Sequence, residues 1–203
     1  MPKPLRQVLI PCLAVFVWSA IGPHDYFTWF LEVVPAVIVF AVMLGTHRRF
    51  PLTPLLYWLV GLHACVLMVG GHYTYAEVPL FSGAGRNNYD KVGHFMQGFV
   101  PAMAAREILL RRAVLQRGRW LAFIVGCICL AISAFYELIE WWVAELSGES
   151  AEAFLGTQGY VWDTQSDMLL ALIGSITALL LLAKLHDRQL QHLPISGSSQ
   201  ALH

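Results

Sequence analysis

Residues 87–97 read NNYDKVGHFMQ, and this stretch carries charged side chains directly into a long apolar segment. Asp90, Lys91, His94 and Gln97 thereby fall at the beginning of a segment whose composition predicts a membrane helix. An ionisable side chain within a membrane helix is energetically costly, and such residues usually mark functional sites. The stretch therefore predicts one wall of a polar site inside a helical membrane protein.

The composition of the whole chain agrees with this interpretation. Of the 203 residues, 57% are hydrophobic and 13% are charged, whereas about 25% are charged in an ordinary soluble protein. The formal net charge is zero, so there is no basic excess of the kind that binds nucleic acid. The composition predicts an all-α, polytopic membrane bundle.

Six segments are long and apolar enough, or nearly so, for the roughly 20 residues that a membrane helix needs. They cover residues 8–21, 28–45, 54–71, 92–110, 120–146 and 167–185. The first resembles the apolar part of a signal peptide, but no good small-residue cleavage site follows it, so we expect a retained helix. We expect residues 1–185 to form a single domain and residues 186–203 to form a polar, flexible cytoplasmic tail.

The basic residues predict the orientation of the bundle. All of the 13 lysine and arginine residues except Arg86 and Lys91 fall on one side of a six-helix topology. Basic residues favour the cytoplasmic side, so both termini are expected there. The arginines from Arg106 to Arg119 are most simply explained by this rule. The loops that contain residues 72–91 and 147–166 are then expected on the outer side.

Acidic and imidazole side chains recur at one level on three consecutive predicted helices. Residues four or three apart share a helix face, and alternating helix directions bring these faces to the same side of the membrane. The set comprises Asp90 and His94, Glu137 and Glu140, and Asp163 and Asp167, with Lys91 and Gln97 in supporting positions. Glu32 and His72 lie near the same level. The sequence therefore predicts an outward-facing pocket of carboxylates and histidine.

Several carboxylates close together in a membrane need an offsetting positive charge, which Lys91, protonation or a bound divalent metal would supply. Histidine with carboxylates suits zinc, manganese or iron, whereas carboxylates and water alone suit magnesium or calcium. We expect zinc, manganese or magnesium, bound by His94, Glu137, Glu140, Asp163 and Asp167. Glu137, Glu140 and Asp163 are the candidate catalytic carboxylates, and metal-bound water is the candidate nucleophile.

Simpler interpretations stand beside the metal site. Asp90 and Asp163 also fit helix N-caps, because each opens or precedes an apolar run. Glu137 and Glu140 also fit a purely structural polar network. His63 is isolated in the third helix and fits a hydrogen-bonded core histidine. The four cysteines all lie in apolar runs and fit small apolar fillers rather than disulfides.

The segment that follows the fifth helix, residues 147–166, is long for a helix connection and contains several apolar side chains. We expect it to fold back over the pocket as a short interfacial helix or lid. Below Asp167 on the sixth helix, small residues at Ala171, Gly174 and Ser175 predict a close approach to a neighbouring helix.

Four strings within residues 87–174 resemble the bacterial YjdF-type inner-membrane proteins, a family defined as a domain of unknown function. The strings are DKVGHFMQGF at 90–99, FYELIEWW at 135–142, FLGTQG at 154–159 and WDTQSDM at 162–168. This resemblance implies a bacterial inner-membrane location and no particular reaction. The order of the acidic and histidine residues also resembles, more remotely, the VanZ-like membrane proteins. The arginine expected before their last acidic pair is absent here, where residues 159–161 stand.

Three functions fit these observations. The first is a metal-dependent hydrolase or transferase whose partner is a membrane lipid or lipid-linked envelope substrate. The second is a proton-coupled transporter that uses the same carboxylates as a relay. The third is a non-catalytic membrane scaffold. The sequence contains no His-Glu-x-x-His motif, no Gly-x-Ser-x-Gly motif and no phosphate-binding glycine loop. These absences argue against a zincin-type metalloprotease, a hydrolase with a serine nucleophile elbow and an ATP-driven enzyme.

Overall fold

The computed structural model describes residues 1–75, 77–79, 87–147 and 161–193, and within them it contains six α-helices and no β-strand. The six helices confirm the predicted number and order. They are α1 Lys3–Ser19, α2 Tyr26–Thr46, α3 Pro54–His72, α4 Tyr89–Arg111, α5 Arg119–Ser147 and α6 Asp163–Leu190.

Four of these helices, α2, α3, α5 and α6, are long and apolar enough to cross a membrane. Helix α1 is shorter, at 17 residues, and α4 carries charged residues near both ends. Large apolar side chains cover much of the outside of the bundle, including Val42 on α2 at 57% exposure and Leu180 on α6 at 77%. An apolar exterior of this kind is expected where lipid replaces water as the solvent. The orientation of the bundle in the membrane stays a prediction.

Local capping explains where α2 and α3 begin. The Asp25 carboxylate accepts a hydrogen bond from the Thr28 backbone N–H, and this bond holds the pKa of Asp25 below its ordinary value. The Thr53 side chain caps α3 in the same way, and Pro54 occupies the first helical turn. The two aspartates interpreted as possible N-caps do not occupy the N-cap positions: Asp90 and Asp163 lie inside the first turns of α4 and α6, and the Asp90 carboxylate accepts a hydrogen bond from the Lys91 N–H. In these positions the two carboxylates interact favourably with the positive end of the helix dipole.

The most extensive packing in the bundle joins α4 to α6. A Cβ atom added at Gly98 would overlap the main-chain carbonyl of Ala171, and one added at Gly174 would overlap the main-chain carbonyl of Phe95. The two backbones therefore meet directly, as the small residues at Ala171, Gly174 and Ser175 predicted. This crossing fixes the distance between the polar faces of α4 and α6.

A second polar cluster lies at the opposite end of α4 from Asp90. Glu107 is completely buried, and its carboxylate accepts hydrogen bonds from the Thr53 N–H and hydroxyl and from Arg111. The Glu107 Oε2 atom also lies 3.0 Å from the Nε2 atom of His186. Arg106 contacts the other ring nitrogen of His186 and pairs with Asp187. We call these residues the Glu107 network.

The Glu107 network corrects two sequence-based predictions. Arg106 and Arg111 are 5% and 6% exposed, so they are more than orientation signals in a loop. The segment after residue 185 is not a flexible tail from its first residue, because α6 continues to Leu190 and His186 is fully buried. The domain therefore extends beyond residue 185, and residues 194–203 lie outside the described residues.

The predicted lid, residues 147–166, falls mostly outside the described residues, of which only Ser147 and residues 161–166 belong to it. All four cysteines are free, as expected. Cys127 is exposed and Cys129 is buried, so the two point to different faces of α5.

Candidate functional site

A cavity of about 680 Å³ lies inside the bundle and is lined by side chains from α2, α3, α4, α5 and α6. One end, the acidic end, contains carboxylates from four helices and one histidine. Its members are Glu32, Asp90, His94, Glu137, Glu140, Asp163 and Asp167. The other end, the apolar end, is formed by Val39, Val60, Val100, Pro101, Ala104 and Ile132. The cavity is therefore polar at one end and apolar at the other.

His94 lies between two carboxylates of the acidic end. Its Nε2 atom is 3.7 Å from Asp167 Oδ2, and its Nδ1 atom is 3.9 Å from Glu137 Oε1. The Gln97 side-chain oxygen lies 3.4 Å from the same Nδ1 atom, one turn further along α4. Possible ligand atoms of His94, Glu137 and Asp167 all lie within 4.8 Å of one another. Separate helices thus bring together three of the five predicted metal ligands.

A second group of carboxylates shares one member with the first. Ligand oxygens of Asp90, Asp163 and Asp167 also lie within 4.8 Å of one another. Asp167 belongs to both groups because it stands one turn below Asp163 on α6 and faces α4 across the close crossing. Asp90, interpreted from sequence as a supporting residue, therefore has a more central position than expected.

Glu140 lines the cavity but is a member of neither three-residue group. On the same side of the cavity, Tyr136 donates a hydrogen bond of 3.4 Å to the Glu32 carboxylate. Glu32 is 6% exposed and comes from α2. It is the sixth carboxylate of the acidic end, as its level in the sequence suggested. His72 does not join this end: its ring contacts the Ser19 carbonyl and stacks near Trp18.

One buried oxygen of the acidic end has no hydrogen-bond donor in the part of the chain that the structure describes. This atom is Glu137 Oε1, which faces His94, and the Glu137 side chain is only 9% exposed. A buried acceptor without a donor is destabilising by about 1–3 kcal/mol. A cation between Glu137, His94 and Asp167 would remove that cost, since carboxylate and imidazole are ordinary metal ligands.

Gln97, Lys91 and His63 differ in their positions relative to the cavity. Gln97 lines the cavity beside His94. Lys91 does not line it, and among the described residues no carboxylate forms an ion pair with the Lys91 side chain. Lys91 therefore does not supply the offsetting charge within that part of the chain. His63 lines the cavity wall on α3 and makes no hydrogen bond to a described residue, unlike the core histidine expected.

Comparison with known proteins identifies the family. A family model described as "Predicted membrane protein (DUF2238)" matches residues 4–188. The chain is 54% identical over 196 residues to the "Inner membrane protein YjdF" of Escherichia coli (strain K12), with 94% of each chain covered. No solved structure matches. The YjdF resemblance seen in the sequence is confirmed, whereas nothing in these matches supports the more remote VanZ likeness. The chain belongs to the DUF2238 family and is a multi-pass protein of the inner membrane.

Proposed function

We propose that this protein is a metal-dependent hydrolase or transferase that acts on a lipid or lipid-linked substrate of the cell envelope. The observation that carries the proposal is the convergence of His94, Glu137 and Asp167 on one side of a cavity whose other end is apolar. The ligand atoms come from α4, α5 and α6, so folding of the bundle assembles the site.

The ligand chemistry favours a divalent ion. One imidazole and two carboxylates are suited to zinc or manganese, and the neighbouring Asp90 and Asp163 would add oxygen ligands that magnesium also accepts. The Glu137 Oε1 atom lacks a donor among the described residues, which supports a bound cation. A fully structural scaffold fits less well, because within the described residues it would leave this oxygen without a donor beside a large cavity.

The proposed reaction breaks an ester or phosphoester bond at the polar head of the substrate. A divalent ion held by His94, Glu137 and Asp167 would polarise this bond and lower the pKa of a water molecule. Glu140, which lines the cavity outside the ligand groups, would accept the proton of that water as it attacks. Glu140 would then donate this proton to the departing oxygen, while the water oxygen remains on the acyl or phosphoryl group. In a transferase, an acceptor hydroxyl takes the place of the water.

We expect the purified wild-type protein to contain a stoichiometric divalent metal by elemental analysis. Glu137→Gln and Asp167→Asn are each expected to weaken its binding roughly a hundredfold, since each removes an anionic ligand. Glu145→Gln on the exposed side of α5 is the matched control and should bind as the wild type does. Metal-free wild-type protein after purification without chelators and titration with zinc, manganese and magnesium would overturn the proposal. Equal binding by the two variants would overturn it as well.

The length of the cavity supports a second candidate, a proton-coupled transporter. Asp90 and Ala104 of α4 both line the cavity, and a helix rises about 1.5 Å per residue, so the cavity extends over roughly 20 Å of the bundle. Beyond Gln97, however, its α4 wall consists of Val100, Pro101 and Ala104, which suits a hydrocarbon chain better than a proton path. Proton flux in proteoliposomes that is abolished by Glu140→Gln would favour the transporter.

A further inference from the structure

We infer that the cavity opens sideways into the lipid bilayer between α2 and α5, and that it binds the hydrocarbon chain of a membrane amphiphile there. The inference rests on the proposed function for the reaction at the polar head and names the access route and the class of substrate. We call the gap between α2 and α5 the lateral opening.

The helix arrangement creates this opening. Helix α2 packs on α3, α3 packs on α4, and α5 packs on α4 and α6. Helices α2 and α5 both line the cavity, but they do not pack extensively on each other. The cavity walls therefore form an incomplete ring with its gap between these two helices. Both helices are membrane-spanning by length and composition, so the gap faces lipid.

Two apolar side chains mark the edges of the lateral opening. Val39 of α2 and Ile132 of α5 both line the cavity and are 41% and 40% exposed. Ala64 and Val100 line the cavity at its inner wall and are only 4% and 3% exposed. The accessible surface on both sides of the gap is thus apolar, as a hydrocarbon chain requires.

At the acidic end, α2 and α5 are joined by a single hydrogen bond within the described residues, from Tyr136 to Glu32 at 3.4 Å. Glu32 and Tyr136 both line the cavity, so this bond spans the gap between α2 and α5 at the polar part of the cavity. A substrate entering from the bilayer would therefore place its chain at Val39 and Ile132 and its head near His94.

The occupant is a hydrocarbon chain because the opening faces the hydrocarbon region of the bilayer at that depth. An apolar cavity that opens to lipid gains dispersion contacts when a chain fills it, and water gains no hydrogen bonds from Val60, Val100 or Ile132. The acidic end is continuous with the apolar end, so the molecule is expected to have a polar head as well. A volume of about 680 Å³ lies within the roughly 300–1,000 Å³ range of small-molecule sites.

The test uses the full chain in vesicles of phosphatidylethanolamine and phosphatidylglycerol that contain a phospholipid with a diazirine at the end of one acyl chain. After photolysis, mass spectrometry of peptides locates the label. We expect label at Ala64 and Val100, which surrounding lipid cannot reach on the outer surface. Ile132→Trp and Val39→Trp should each reduce that inner label at least fivefold by filling the lateral opening.

Leu138→Trp is the matched control, because Leu138 is exposed on α5 but does not line the cavity. It should leave the inner label unchanged, and label at exposed Phe123 should be the same in every variant. Label confined to exposed residues would overturn the inference, as would inner label that survives both tryptophan substitutions at the edges. Metal content measured on the same samples separates the two proposals. Inner label without metal rejects the metal reaction alone, and metal without inner label rejects the lateral opening alone.

Discussion

Glu107→Ala is expected to lower the free energy of unfolding by about 3–5 kcal/mol, the usual effect of removing one partner from a buried ion pair. The carboxylate is completely buried and accepts hydrogen bonds from Thr53 and Arg111 while facing His186. Its removal leaves the buried Arg111 guanidinium without its anionic partner. It also breaks the connection between the start of α3 and the ends of α4 and α6.

Unfolding by a denaturing detergent, followed by far-ultraviolet circular dichroism, measures this loss. Glu145→Ala on the exposed side of α5 is the control and should change stability by less than about 0.5 kcal/mol. Glu107→Gln retains one acceptor oxygen and should fall between the two. A loss below 1 kcal/mol for Glu107→Ala would show that the network does not hold the three helices together.

The acidic end of the cavity was largely predictable from sequence, since helical spacing and alternating helix direction suffice to place its members. Asp90 and His94 share a face of α4, and Asp163 and Asp167 share a face of α6. Antiparallel neighbours then bring both pairs to one level. The rotation of each helix about its axis is not contained in that reasoning. The sequence therefore predicts Glu140 among the ligands and does not predict that Asp90 lies close to Asp163 and Asp167.

The Glu107 network was not predicted, because its members are far apart in sequence. Glu107 and Arg111 are visible as a pair four residues apart on one helix, but Thr53 and His186 join them only through tertiary packing. The rule that basic residues favour the cytoplasmic side also explains the neighbouring arginines, so their sequence provided no reason to expect that they are buried. The sequence does not indicate that His186 is buried, since it stands among polar residues at the end of an apolar run.

The lateral opening also depends on information beyond local sequence. Val39 and Ile132 are ordinary apolar residues of membrane helices, and nothing in their neighbourhood distinguishes them from the residues that face lipid alone. Their role follows from which helices pack together, and that pairing is set by small residues. Gly98 and Gly174 bring α4 against α6, α5 packs on both of these helices, and the gap between α5 and α2 is left without extensive packing.

Gly98→Ala and Gly174→Ala are each expected to lower the free energy of unfolding by about 3 kcal/mol, at the upper end of the range for overpacking. In both cases the new methyl group would meet a main-chain carbonyl of the facing helix, either at Ala171 or at Phe95. A side chain can rotate away from such an overlap, but a backbone cannot, so the two helices must separate. The same denaturing-detergent titration measures the change.

The separation should also reach the candidate metal site, because His94 is on α4 and its neighbour Asp167, 3.7 Å away, is on α6. We therefore expect both variants to bind metal at least tenfold more weakly than the wild type, although neither removes a ligand. Gly126→Ala is the control, since its added methyl group would have only ordinary contact with Leu172 at 3.9 Å. Alanine also favours the helix, so this variant should be as stable as the wild type or slightly more so. Gly98→Ala protein with wild-type stability would contradict the close crossing. Lost stability with unchanged metal affinity would instead show that the site does not depend on the spacing of α4 and α6.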